Sequence, residues 1–114
     1  MAGHTEIEVA DSGWVSGTIR DKDGTALAPT TLVLFVYDAE TLTQIATRAL
    51  TPATDAPLGV IGFRLLTTEN ALVGSGNEET HVVRLEFTWN AAADASYGEA
   101  RYTCRARPVL VVVP

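Results

Sequence analysis

The side chains with chemical potential in this 114-residue chain are two histidines, one cysteine, an Asp-x-Asp-Gly run, a cluster of arginines and two tryptophans. His4 and His81 share no paired-ligand spacing. The single cysteine, Cys104, rules out a disulfide within the chain and a multi-cysteine metal centre, and its place in an alternating segment predicts a small buried apolar residue. No serine-centred nucleophile elbow, phosphate-cradling glycine loop or zinc motif is present. Asp21, Asp23 and Gly24 match the opening of a calcium loop, but the later ligands, including its closing glutamate, are missing, so the run reads as a turn. These residues predict no catalytic group, no metal site and no cofactor.

The remaining candidates are surfaces. Arg84, Arg101, Arg105 and Arg107 recur on one face together with Glu86 and Glu99. That pattern gives a solvated ion-pair ladder or, because arginine is favoured at interfaces, a subunit contact. Trp14 is out of phase with Val15 and Ile19, as an exposed anchor or as a ring covered by the N-terminal segment. Trp89 has core phase in its own segment. Val109, Leu110, Val111, Val112 and Val113, framed by Pro108 and Pro114, form an apolar tail. It reads either as a last strand of the same domain or as an arm that adds to a neighbouring subunit.

The element that positions most of these is a hairpin over 81–107. In its first arm Val83, Leu85, Phe87 and Trp89 share one face, and Val82, Arg84, Glu86 and Thr88 the other. In its second arm Ala100, Tyr102, Cys104 and Ala106 alternate with Glu99, Arg101, Thr103, Arg105 and Arg107. Period-two alternation marks strands with one buried face, and a slip of one residue would bury arginines. Residues 90–98 read as the connecting loop. Further strands are predicted over 5–9, 14–20, 31–37, 43–50 and 58–66, with turns at 21–24 and 38–41 and a proline-containing loop over 51–57. Residues 31–37 are apolar on both faces, as in a central strand or one whose outer face meets a partner. Residues 67–72 predict one capped helical turn carrying a buried Leu72.

About seven short strands with no long helical pattern predict an all-β, immunoglobulin-like antiparallel β-sandwich over residues 1–107, followed by the apolar strand or arm 108–114. The net charge of −6 argues against binding to nucleic acid or an anionic membrane. Met1 to Glu6 has neither a basic start nor an apolar run, which predicts no signal peptide, and no apolar run is long enough to span a membrane. These features point to a cytoplasmic site of synthesis.

The run Gly17-Thr18-Ile19-Arg20-Asp21-Lys22-Asp23-Gly24, followed by Pro29-Thr30-Thr31-Leu32, resembles the opening of small immunoglobulin-like proteins of tailed-phage virions. Val36-Tyr37-Asp38 with Thr41 and Ile45 is similar to their second strand pair, and Thr67-Thr68-Glu69-Asn70-Ala71-Leu72 to the turn before their last hairpin. His81 to Trp89 with Tyr97 to Thr103 resembles that hairpin. The resemblance covers residues 14–107, and the Val-rich end departs from it. It implies a non-enzymatic structural protein of the head or head–tail junction: a neck or connector component or a capsid decoration. It would be present in multiple symmetric copies, assembled in the bacterial host cytoplasm. Its partners would be capsid, portal, neck or tail subunits. The alternative is a carbohydrate-binding or adhesin-type module on the particle surface.

Overall fold

A computed structural model describes residues 4–10, 13–21, 23–90 and 94–105. It shows seven strands: β1 His4–Val9, β2 Trp14–Arg20, β3 Thr31–Asp38, β4 Gln44–Leu50, β5 Val60–Arg64, β6 Glu78–Trp89 and β7 Asp94–Arg105. They form a three-stranded sheet, β1-β2-β5, and a four-stranded sheet, β4-β3-β6-β7, with every pairing antiparallel. The two sheets pack as an immunoglobulin-like sandwich in which the fourth strand joins the sheet of the third, sixth and seventh.

The core lies where the alternating faces meet. Val15, Ile19, Ile61 and Phe63 come from the smaller sheet; Leu32, Leu34, Val36, Val83, Leu85, Phe87, Tyr102 and Cys104 come from the larger. Each large apolar side chain so buried contributes about 1.5–3 kcal/mol. Trp89 packs on the edge of this cluster with its ring 5.7 Å from that of Phe87. Cys104 is buried, as its phase predicts.

Several boundaries differ from the sequence reading. Residues 90–98 are not all loop, because β7 begins at Asp94, paired with Trp89. The small residues Ala95 and Ser96 extend the ladder since pairing their backbone groups needs no large apolar side chain. Likewise β6 starts at Glu78 rather than His81, held by Glu78↔Arg105 and Glu79↔Cys104. The expected loop 51–57 contains a helical turn, α1 Pro52–Asp55, with proline at its start and the Asp55 carboxylate accepting the Thr51 N–H at 2.9 Å. The first residues expected in β5 form a 3-10 turn, Pro57–Gly59.

Residues 67–72, expected as a capped helical turn, instead form a hydrogen-bonded turn over 66–70 without a helix, and Glu69 rather than a threonine closes it: the Leu66 N–H donates to Glu69 Oε1 at 2.7 Å. Glu69 and Asn70 are buried there, while Leu72 is only half-buried. Asn70 Oδ1 accepts the Tyr102 hydroxyl at 3.0 Å, which ties this turn to β7. The turn after β2 is built by Asp21, whose Oδ1 accepts the N–H groups of Asp23 and Thr25 at 2.9 and 3.0 Å.

Candidate functional site: the outer face of the four-stranded sheet

Register fixes which side chains share the solvent face of the larger sheet. Phe35 on β3 pairs with Arg84 on β6, which pairs with Glu99 on β7. One step along, Val33 is opposite Glu86 and Glu86 opposite Tyr97; one step the other way, Tyr37 is opposite Val82 and Val82 opposite Arg101. The outer face is therefore a grid of aromatic and charged residues across three strands.

Arg84 is its centre. Its Nε donates to Glu86 Oε2 at 2.9 Å and its Nη1 to Glu99 Oε1 at 3.0 Å. The guanidinium lies over the Tyr97 ring, 3.7 Å from the centroid. Burial pulls the Arg84 pKa down, but the hydrogen bonds to both glutamates outweigh it and the net shift is upward. Tyr37 is pushed up by burial first and by neighbouring Glu99 second, with Arg84 and Arg101 opposing. The result is a rigid planar cation with its polar edge engaged and an aromatic ring beneath it.

Beside Arg84 the face is apolar. Phe35, Tyr37, Leu42, Gln44, Arg84 and Glu86 line a shallow depression of about 350 Å³. Leu42 is 72% exposed and holds φ 61° at the turn between β3 and β4. A β-bulge between Val36 and Tyr37 in the β3–β4 ladder turns this corner. Tyr97 is 52% exposed on the far side of Arg84. Val82, in outward phase, is nonetheless buried, so this sheet is not simply core on one side and solvent on the other.

The sequence-derived candidates distribute unevenly over this surface. Arg101 and Arg105 lie on the outer face of β7 and are exposed. Arg105 approaches Glu78 at 3.7 Å, a loose pair between two exposed side chains. Arg107 and the tail residues Val109, Leu110, Val111, Val112 and Val113 lie outside the described residues. Trp14 is on the opposite sheet, 43% exposed, with its ring against Gly62: a Cβ on Gly62 would meet Trp14 Cζ2 at 3.4 Å. Trp14 is thus separate from the arginine face.

A second cluster was not signalled by spacing. Asp38, Glu79 and His81 each place one oxygen or nitrogen within 4.8 Å of the others. The first is the last residue of β3 and pairs with His81 on β6; Glu79 lies two residues back on the same face. Forty-odd positions separate Asp38 from the other two, so only the register reveals the grouping. Thr41 donates to Asp38 Oδ2 from its N–H at 2.8 Å and its hydroxyl at 2.7 Å, and these bonds hold the Asp38 carboxyl below the usual carboxylate range. Val73 N–H and Gly74 N–H donate to Glu79, both at 2.7 Å, and with His81 hold its carboxyl low too.

No protein-family model, no curated protein and no solved structure matches this chain.

Proposed function

We propose that this protein is a non-enzymatic structural subunit of a tailed-phage virion, at the head or the head–tail junction, and that it docks on neighbouring virion proteins through the outer face of β3, β6 and β7. The observation that carries the docking face is the exposed set Leu42, Tyr97 and half-buried Phe35 and Tyr37 around the stacked, doubly paired Arg84. Aromatic residues and arginine dominate binding energy at protein interfaces, and a planar guanidinium already ordered by two carboxylates loses little further freedom on binding. The virion assignment rests on the sequence resemblance, and the sandwich fold accords with it. The apolar tail, Val109 to Val113, supplies a second attachment element in this reading.

The test is stoichiometry. Particles that carry this protein are purified, and its copies are counted against the major capsid subunit by quantitative mass spectrometry. Near-equal numbers mean head decoration, and one ring's worth means a neck or tail position. Absence from the particle overturns the proposal. Tyr97→Ala and deletion of 109–114, each in a folded domain, separate the two attachment elements by loss of incorporation.

A carbohydrate-binding module is the second reading, favoured by Trp14. An indole that is 43% exposed, with Cζ2 and Cη2 beside Gly62, offers an aromatic surface to a sugar ring. Glycan binding unchanged in Trp14→Ala removes it.

A further inference from the structure

We propose that the apolar run Val109 to Val113 of one copy of this chain seats in a groove at the opposite pole of a second copy. The proposal rests on the reading of that run as an attachment element and names its acceptor.

Register sets the two poles. Arg105, the last residue of β7, pairs with Glu78, and Asp38 pairs with His81 toward that same end. At the other end Thr31 pairs with Thr88 and Leu32 with Leu50. The groove lies at this second pole, between the segment that enters β3 and the chain that leaves β4. Pro29, Thr51, Pro52, Ala53, Pro57 and Leu58 are among its lining, and its volume is about 420 Å³. The prolines present rings and no N–H groups, so apolar contact holds whatever seats there. Leu58 is 80% exposed and therefore open to a partner.

The walls are fixed before anything binds. The Leu27 N–H donates to the Ile19 carbonyl at 2.8 Å and the Thr30 N–H to the Thr88 carbonyl at 2.6 Å, which ties one wall to both sheets. The Thr51 N–H donates to Asp55 Oδ2 at 2.9 Å, and the Gly59 N–H to the Ala56 carbonyl at 3.0 Å. Gly59 packs so closely on the first wall that a Cβ would lie 2.6 Å from the Leu27 carbonyl oxygen. A preformed groove costs little ordering on binding.

Reach decides whose groove is filled. The ten residue steps of β6 from Glu78 to Thr88 separate the poles by about 30 Å. Val109 stands four residues after Arg105, and a fully extended chain carries it at most about 14 Å. Val111, at the middle of the run, reaches at most about 22 Å. The run therefore cannot lie in the groove of its own chain, whereas a second copy can bring its groove to it. Two antiparallel copies would exchange runs reciprocally; copies placed end to end would pass them on in a ring or filament.

The test is sedimentation of the purified full-length protein, with no particle present. One variant, Val111→Asp with Val112→Asp, charges the run and keeps the groove. The other, Leu58→Asp, charges the groove and keeps the run. Leu58 holds φ 54°, a left-handed conformation that aspartate tolerates, so this variant should fold, and circular dichroism checks both. The wild type should associate, to a dimer or beyond, in a concentration-dependent way. Each variant alone should sediment as a monomer at the same concentrations. Mixed in equal amounts, the two should form a dimer, because one supplies the intact groove and the other the intact run. A monomeric wild type overturns the proposal. So does a variant that still associates alone, or a mixture that stays monomeric. Loss of particle incorporation on deletion of 109–114 is read separately. A monomeric wild type together with that loss would mean that the run attaches to a different virion protein.

Discussion

Arg48 on β4 reaches across the open flank of the sandwich to Glu69, with Nε 2.7 Å from Oε2 and Nη2 2.9 Å from Oε1. The flank lies between β4 and β5, one edge strand of each sheet among the described residues. Arg48 also lies over the Phe63 ring, 5.8 Å from its centroid. Its pKa is raised first by the hydrogen bond to Glu69, against a burial effect of opposite sign. A charge pointing inward from an edge strand also discourages edge-to-edge pairing with another chain.

Glu69 is only 4% exposed and further accepts the Leu66 N–H, so removing its charge leaves Arg48 unpaired over an apolar flank. Glu69→Gln should destabilise the domain by about 2–4 kcal/mol. The denaturant midpoint measures this. A change within about 0.5 kcal/mol, the scale of an exposed pair, would show that the bridge is not structural.

The strand pattern was legible in the sequence wherever one face is buried and the other solvated, as for Val83, Leu85 and Phe87 against Arg84 and Glu86. It failed where burial depends on neighbours. Val82 alternates with the core residues, yet is buried at its cross-strand position between Tyr37 and Arg101. Glu78, Glu79 and Thr80 read as loop because nothing in their types is apolar, but the β7 ladder opposite them holds them in β6. The same gap concealed the Asp38, Glu79 and His81 cluster. The paired glutamates of the arginine face were legible, since Glu86 and Glu99 share its phase; the stacking of Arg84 on Tyr97 was not, because Tyr97 stood in a predicted loop.

Gly17 adopts φ 156° in the middle of β2, opposite Ile7 of β1. A Cβ there would collide with the Glu6 carbonyl, a backbone group that has no rotamer to move. Gly17→Ala should therefore cost at least about 2 kcal/mol and displace β1 rather than the core. Hydrogen exchange locates the effect: amides of β1 should lose protection before those of β6. Uniform loss across both sheets would mean that β1 and the core unfold as one unit.

Asp38 and Glu79 both have folded-state pKa values below their ordinary values of about 3.9 and 4.3, chiefly through hydrogen bonds donated by Thr41 and by Val73 and Gly74. The unfolded chain therefore binds more protons than the folded one between the folded and unfolded values. Stability from these groups is fully present above about pH 5 and falls as pH drops through the folded values. Urea midpoints in metal-free buffer should decline below pH 5 for the wild type. The Asp38→Asn variant should start less stable at pH 7 and decline less steeply. Parallel curves would assign the acid sensitivity to other carboxylates.

Leu42 combines two unfavourable features, a left-handed backbone and an exposed leucine side chain, on the rim of the depression lined by Phe35, Tyr37 and Arg84. Glycine accepts that φ freely, so Leu42→Gly should stabilise the isolated domain by about 0.5–1 kcal/mol once the greater chain entropy of glycine is subtracted. On the proposed docking face, the cost of an exposed, left-handed leucine would be offset by contact with a partner. If the outer face is the docking surface, the same variant should incorporate into particles less efficiently than the wild type while melting at a higher temperature. The opposite pairing, a lower melting temperature with normal incorporation, would place the role of Leu42 within the fold and move the docking surface elsewhere.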